Sequence, residues 1–184
     1  MDLCGKLLVA MPGMGDSRFE KAVIFMCAHT PEGAMGLIVN KPARHVNVTE
    51  LLRQLKIETT DNRRNIPAYF GGPVEHGRGF VLHSADYQSG ESTLKVDEQF
   101  GMTATLDILE EIANGNGPET AILMLGYSGW GPGQVEDEIV QNGWLTCDAT
   151  PEIVFAEDNE AKWTAALKTL GIDPQSLSAT AGRA

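Results

Sequence analysis

The sequence predicts a single α+β domain. Its 184 residues fit the ordinary size of one domain, and neither a low-complexity break nor an internal repeat divides them. Apolar runs of strand length are paired through short turns, and helical patterns interrupt them at irregular intervals without the rhythm of a βαβ fold. Hydrophobic residues make up 42% of the chain and charged residues 21%, so the composition excludes general disorder and allows a substantial core.

The first apolar run, residues 7–10, is a predicted strand. Pro12 and Gly13 follow it, and a proline next to a glycine indicates a turn. The turn is expected to lead into a loop that contains Asp16.

A β-hairpin is predicted next. Residues 23–28 are six consecutive apolar residues, expected to form a strand that is buried on both faces and ends at His29. Residues 34–39 are a second short apolar run, which ends at Asn40. Because only a few turn residues separate the two runs, they are expected to pair.

Three helices are predicted from end signals. The first begins at Asn47, which can cap it, and Glu50 completes a capping box. The others run from Thr105 to Asn114 and from Asp158 to Leu170, and a glycine follows each. The polar segment from Glu58 to Pro67 is predicted to be a mobile loop.

The remaining strand predictions are shorter. The apolar residues Phe80, Val81 and Leu82 follow a glycine-rich turn and are expected to form a buried strand that His83 follows. Residues 92–100 alternate weakly, as an edge strand does. Residues 153–155 are predicted to be a short strand. The residues after Pro174 are small and polar and are expected to form a loose tail.

The stretch from Ile122 to Leu145 holds the densest group of special backbone residues. It predicts a buried strand, a glycine-rich corner at residues 126–133, a short acidic helix and a second buried segment. Trp130 is expected to be held partly exposed at this corner, where Gln134 and Glu136 would supply hydrogen bonds to a ligand.

A competing interpretation makes the tryptophans structural. Trp130 and Trp144 would then be anchors that clamp the acidic helix to the sheet. The two interpretations are compatible if Trp144 is inside and Trp130 lies at the rim.

Two common site motifs fail at the corner. A dinucleotide-binding loop needs a third glycine at position 134, where the chain has Gln134, and residues 136–138 are three acids that would repel a phosphate. A nucleophile elbow around Ser128 needs a glycine where Trp130 stands, and it needs a histidine later in the chain, yet none follows His83.

Histidines and cysteines offer weaker chemistry. His29 and His83 each follow an apolar run, so they could meet at one end of the sheet with Asp86 nearby. The three cysteines contain no C-x-x-C pair and match no zinc-site spacing, so neither a metal nor another cofactor is predicted, and a reducing compartment is expected: Cys4, Cys27 and Cys147.

Charge and hydropathy exclude other classes. The formal net charge of −11 opposes direct nucleic-acid binding, and the basic pair Arg63-Arg64 is read as a solvated surface. No apolar run of membrane-spanning length is present, and no signal-peptide pattern opens the chain. The expected location is therefore the cytoplasm.

Several segments together resemble the YqgE/AlgH family, and they follow one another in that family's order over nearly the whole chain. They are residues 8–16, 32–42, 71–74, 78–83 and 125–136. The resemblance implies a bacterial cytosolic protein whose mixed, bifurcated sheet is curled into a pseudo-barrel with flanking helices. The family carries the label of transcriptional regulator, and the resemblance implies no catalytic residues for this chain. Ser128 stands where the family pattern has alanine, and Val135 where it has leucine.

The functional expectation is a regulatory binding module. Its partner would be an unidentified small molecule or protein, in a cleft between the corner, the Asn40 turn and residues 71–83. The candidate cleft residues are Trp130, Gln134, Glu136, Asn40, Arg78, His83, His29 and Asp16. The alternative is a hydrolase that uses His29 or His83 with a carboxylate such as Asp16 or Glu136 as its acid and base.

Overall fold

The computed structural model describes residues 1–61, 64–104 and 106–177. The strands in chain order are β1 (Lys6–Ala10), β2 (Val23–Thr30), β3 (Gly33–Ile38), β4 (Ala68–Phe70), β5 (Val74–Ser84), β6 (Thr93–Lys95), β7 (Phe100–Thr103), β8 (Ala121–Trp130) and β9 (Trp144–Asp148). The α-helices are α1 (Val48–Gln54), α2 (Leu106–Ala113), α3 (Gln134–Val140), α4 (Pro151–Val154) and α5 (Asn159–Thr169). None of these helices is long and apolar enough to span a bilayer within the described residues.

The nine strands form one sheet that divides at β8. The hydrogen-bonded order is β6-β7-β5-β8-β3-β2-β1-β9, and β4 pairs with β8 outside this path. One edge of β8 pairs with β5, while the other pairs with β4 at residues 123–125 and with β3 at residues 128–130. The β4–β8 pair is parallel and the other strand pairs are antiparallel, so the sheet is mixed and bifurcated, as predicted.

The sheet curls until its two branches face each other. Phe25 on β2 and Phe100 on β7 are separated by three strands in the sheet order, yet their ring centroids are 4.7 Å apart. Both rings belong to a core cluster that combines the inner faces of the two branches with residues of α4 and α5. The predicted α+β pseudo-barrel with flanking helices is therefore confirmed.

The other helices cover the outer faces of the sheet. Residues of α1 and α2 share a cluster with outward-facing residues of β5 and β8. Val135 of α3 packs in a third cluster with Trp130, Trp144 and outward residues of β1, β2 and β3. The amphipathic pattern of each helix thus matches the sheet face that it covers.

Several local predictions are confirmed. β2 and β3 form the expected antiparallel hairpin. Asn47 caps α1 by accepting the Glu50 backbone N–H at 3.2 Å. The helix predicted from Asp158 is α5, and the structure adds that the Asp158 side chain caps it. Thr105, the predicted start of α2, lies outside the described residues, as do Arg63 in the predicted mobile loop and positions 178–184 of the predicted tail.

The predicted corner at residues 126–133 is wrong in its position. β8 continues through residues 126–130, and the turn is confined to residues 131–133. Ser128 and Trp130 pair with β3 across from Gly36 and Ala34, so pairing with a neighbouring strand overrides the low strand propensity of the glycines.

Three further strand predictions need correction. Residues 153–155 are not a strand, because Pro151 occupies the first turn of α4, where its fixed φ favours a helix start. The edge strand predicted at residues 92–100 is limited to β6, and a turn separates β6 from β7. His29 does not end β2, which continues to Thr30 through its pairing with Gly33.

Candidate functional site

A cleft of about 620 Å³ lies between the loop after β1, the first residues of β5 and one side of α3. We call it the α3 cleft. Its lining comprises Pro12, Gly13, Met14, Asp16, Arg18, Phe19, Pro73, Val74, Gly129, Trp130, Gln134, Glu138, Gln141, Asn142, Gly143 and Trp144. Three of the predicted site residues therefore meet in it, namely Asp16, Trp130 and Gln134.

The inner wall of the α3 cleft is a pair of tryptophans fixed by one carboxylate. Trp130 Nε1 donates to Glu138 Oε2 at 2.8 Å, and Trp144 Nε1 donates to the same oxygen at 2.9 Å. Trp130 is only 7% exposed, so the expectation that it is held partly exposed is wrong. Its side chain lies on the outer face of β8 beneath α3, which confirms the interpretation of both tryptophans as anchors.

Gln134 joins the turn after β8 to α3. Its Oε1 accepts the Gly131 backbone N–H at 3.0 Å, and its Nε2 donates to Glu138 Oε1 at 3.2 Å. Gly133 at the N-cap has no side chain that could bond to the first turn of α3. Gln134 thus supplies the contact that holds the turn and the helix together.

The opposite wall carries an ion pair. Arg18 donates from Nε and Nη2 to the two carboxylate oxygens of Asp16, at 3.0 and 2.8 Å. Hydrogen bonds from the Arg18 side chain and backbone hold the pKa of Asp16 below its ordinary value. Among the described lining residues, Arg18 is the sole cation, and it is already paired.

His29 and Glu136 lie together outside the α3 cleft. His29 Nε2 and Glu136 Oε1 are 2.5 Å apart, beside a recess of about 190 Å³. The Leu3 backbone N–H donates to His29 Nδ1 at 3.2 Å, so the ring proton is on Nε2 and both ring nitrogens are in use. The Glu136 backbone N–H and His29 lower the pKa of Glu136.

His83 is fully buried inside β5, where its ring is held by backbone and hydroxyl groups. Its Nδ1 lies 2.7 Å from the carbonyl oxygen of Ser84 and must donate to it, so Nε2 accepts from Thr103 Oγ1 at 2.8 Å. Burial lowers the pKa of His83, although the backbone contact at Ser84 and the charge of Asp86 oppose that shift.

The predicted meeting of His29 and His83 at one sheet end is wrong. His83 pairs with Ala121 at the start of β8, whereas His29 pairs with Ala34, which pairs with Trp130 at the end of β8. These two positions are nine residues apart along β8, a path of roughly 30 Å at about 3.3 Å per residue. Asp86 lies near His83, as expected, and its charge raises the pKa of that histidine against the effect of burial.

Asn40 and Arg78 make their contacts outside the α3 cleft. Asn40 accepts the Val23 backbone N–H at 2.9 Å and donates to the Lys21 carbonyl oxygen at 2.8 Å, so it fixes the start of β2. The guanidinium of Arg78 lies 4.9 Å from the centre of the Phe80 ring on β5. Neither residue lines the α3 cleft.

Glu138 and Arg18 are cleft residues that the sequence reading missed. Glu138 lies four residues after Gln134, which places both on one face of a helix, and this spacing was the available signal. Arg18 lies two residues after Asp16 in a single 3-10 turn, Ser17–Phe19, which Asp16 caps, and so short a turn leaves no periodic pattern in the sequence.

The surroundings of the three thiols disfavour their thiolate forms. Burial raises the pKa of Cys27 to about 12, and it also raises the pKa of Cys4 and Cys147. Within the described ranges, no three His, Cys, Asp or Glu side chains converge in a way that could hold a metal ion.

Comparison with known proteins gives consistent matches over the whole chain. The sequence profile of the AlgH-like family matches residues 7–175. A UPF0301 protein of Ruegeria pomeroyi is 63% identical over 185 residues, and one of Cereibacter sphaeroides is 55% identical over 184 residues, with each match covering all of both chains.

Two solved structures share the fold. The solution structure of the AlgH protein from Pseudomonas aeruginosa is 41% identical with a TM-score of 0.80, and the match covers 100% of this chain and 97% of that one. A crystal structure of a Corynebacterium diphtheriae protein has a TM-score of 0.74 at 21% identity, covering 96% and 90% of the two chains, and therefore supports the fold alone.

Proposed function

Because this chain belongs to the AlgH-like family, we propose that it is a cytoplasmic binding protein whose α3 cleft receives a small molecule or a segment of another protein. Any regulatory role would then be exerted through that partner. The observation that carries the proposal is the cleft itself. Its volume of about 620 Å³ falls within the usual range for ligand sites, and its walls combine aromatic rings with charged and amide side chains.

The fixed wall of the α3 cleft supports a binding role. Glu138 accepts two indole N–H groups and the Gln134 amide, so all three side chains are held before a ligand arrives. A preformed wall reduces the entropy that binding must remove, which favours affinity.

The chemistry of the lining favours binding over the hydrolase alternative. Among the described residues, the lining contains no histidine, cysteine, serine or lysine. Its carboxylates, Asp16 and Glu138, already accept hydrogen bonds from neighbouring side chains. His29 lies outside the cleft with both ring nitrogens in use, so it lacks a free lone pair with which to activate a nucleophile.

Charge argues against direct contact with DNA. The chain carries a formal net charge of −11, and the cation of the cleft is paired with Asp16. Electrostatic affinity for DNA is greatest at low salt, so an electrophoretic shift assay at low salt is the most sensitive test. We expect no shift; a salt-sensitive shift would contradict this part of the proposal.

The species that co-purify with wild type and with a variant whose α3 cleft is filled show whether the cleft binds a partner. The tagged chain is expressed in a bacterium and purified rapidly, and the small molecules and proteins retained are quantified by mass spectrometry. Gln141→Trp places a large side chain in the α3 cleft from an exposed position, and Gln88→Trp makes the same change at an exposed site outside it. We expect wild type and Gln88→Trp to retain a species that Gln141→Trp loses. The proposal would be refuted if Gln141→Trp retained every species as well as wild type does. It would also be refuted if wild type retained no species at a higher level than Gln141→Trp.

A further inference from the structure

One edge of β8 is open where it lines the α3 cleft. The edge of β8 that pairs with β5 does so only as far as Tyr127, which lies opposite Val74. Beyond that residue, no strand of the described chain pairs with this edge, whereas the opposite edge continues along β3 to Trp130. Gly129 and Trp130, which follow the last pair, both line the cleft.

No contact within the protein requires glycine at Gly129 or Gly131, the two residues that flank Trp130. A Cβ atom at Gly129 would lie 3.5 Å from its nearest neighbour, in the Tyr127 ring, and one at Gly131 would lie 3.9 Å from Gln134 Oε1. Both are ordinary contact distances, and neither residue has a positive φ. Gly126, by contrast, has a φ of +75°, and a Cβ there would lie 2.6 Å from a backbone oxygen.

Glycine weakens a strand, so a glycine that the interior does not require indicates that something approaches the backbone closely from outside. At an open strand edge the natural occupant is another extended backbone, which gains main-chain hydrogen bonds there. Gln134 Oε1 already accepts the Gly131 N–H, as a carbonyl of an added strand would. That contact limits the available edge to a short segment around Gly129.

The charge and the lining of the α3 cleft indicate which side chains an extended segment bound there would carry. The α3 cleft contains two carboxylates and one cation, and the cation is already paired with Asp16. The whole chain is strongly acidic, with a formal net charge of −11. A basic segment is therefore favoured over an acidic one, both in the cleft and during the approach to it. Met14, Phe19 and Val74 offer apolar contacts for an alternate side chain of an extended segment.

We propose that the partner in the α3 cleft is an extended basic peptide segment, which adds as a short strand to the open edge of β8 at Gly129. This inference rests on the proposed binding function and names the class of partner.

Selection of peptides tests the inference directly. A display library of random octapeptides is selected on the immobilised chain, and the enriched peptides are synthesised and titrated by fluorescence anisotropy. We expect enriched peptides to be basic. N-methylation of alternate backbone amides is expected to weaken binding at least about tenfold, because it removes main-chain donors without changing the side chains.

Matched glycine variants locate the site. Gly129→Val adds a β-branched side chain, beside the Tyr127 ring, at the residue that the added segment would pair with, and Gly129→Ala is a milder change at the same position. Gly77→Val makes the same change on β5, where nothing lies within 4 Å. We expect Gly129→Val to weaken binding about tenfold or more and Gly77→Val less than about twofold. Urea unfolding establishes that each variant is folded, and Gly129→Ala replaces Gly129→Val if the latter is not.

The outcomes separate this inference from the proposed function. No enrichment, enrichment of acidic peptides, or binding unchanged by both N-methylation and the Gly129 variants would overturn strand addition by a basic segment. If those peptides still lose binding to Gln141→Trp, the α3 cleft remains the binding site and strand addition alone is refuted. Peptides that bind Gln141→Trp as well as wild type bind outside the cleft and overturn the inference.

Discussion

Trp130 and Trp144 meet edge to face, with ring centroids 6.3 Å apart, and share one hydrogen-bond acceptor. The acceptor is Glu138 Oε2, so a single oxygen fixes two side chains that come from β8 and β9. The rigidity of the cleft wall therefore depends on a charged group of α3.

Replacing Glu138 should loosen this wall. Glu138→Gln keeps the size but removes the charge, and it places an amide donor where Gln134 already donates, so we expect a loss of about 1–3 kcal/mol in the free energy of unfolding. Urea unfolding followed by tryptophan fluorescence measures it. Glu110→Gln, the same change at an exposed position inside α2, is the control and should change stability by less than about 0.5 kcal/mol. Equal stability of Glu138→Gln and wild type would show that the shared oxygen contributes nothing.

Acid should destabilise the protein through His83. Burial lowers its pKa, so the unfolded chain binds a proton that the folded chain does not, and stability falls as the pH drops below about 6.5, the unfolded value. The loss from one such group is at most about 1.4 kcal/mol per pH unit.

The His83→Gln variant isolates that contribution. Other groups titrate in both proteins, so their effects cancel when the two pH profiles are subtracted. Urea unfolding at pH 8, 6.5 and 5.5 should show a larger loss for wild type than for the variant. Parallel profiles would mean that His83 is not the responsible group.

Raising the pH above about 8 should stabilise the protein through the loss of a proton from Lys162. Its ammonium group is buried, donates to the carbonyl oxygens of Val39 and Val154 at 2.7 and 2.8 Å, and has a pKa lowered to about 8 by burial. Between that value and the ordinary value near 10.5, the unfolded chain binds more protons than the folded chain, so stability rises with pH.

The measurement compares wild type with Lys162→Met, which keeps the apolar stem. The difference in free energy of unfolding should shift by about 1 kcal/mol in favour of wild type between pH 8 and 9. A difference that is constant over this range would mean that Lys162 keeps its proton when folded and unfolded alike.

Gly71 should tolerate no side chain. A Cβ atom there would lie 2.3 Å from the Gly126 carbonyl oxygen, and a backbone atom cannot move aside as a side chain can. We expect Gly71→Ala to lose about 3 kcal/mol or more, whereas Gly77→Ala, with open space around it, should be neutral. Thermal unfolding of the two variants provides the comparison, and a stable Gly71→Ala would show that β4 and β8 can separate without cost.

Local signals were sufficient for much of the fold. The cap at Asn47, the start of α5 next to Asp158 and the β2–β3 hairpin depend on residues close in sequence, and the structure has them as predicted. The continuation of β8 through its glycines was missed, because that strand is specified by its pairing with β3, about ninety residues earlier in the chain.

The site was less predictable than the fold, because more of its contacts join residues from separate strands and helices. Asp16, Trp130 and Gln134 could be chosen from their local context, and they meet in the α3 cleft. The role of Glu138 depends on two indole groups that become neighbours only when β8 and β9 are in place. His83 follows a strand pattern like that of His29, and only the sheet order shows that it belongs to the other end of β8.

The pairing of β1 with β9 has a consequence for synthesis on the ribosome. Lys6 lies opposite Asp148, so β1 acquires its second neighbour only after most of the chain has been made. At about 5–20 residues per second, translation of the roughly 140 intervening residues takes about 7–28 s. During that time the hydrophobic β1 of the nascent chain has an open edge, and an open strand edge is a template for pairing with another chain.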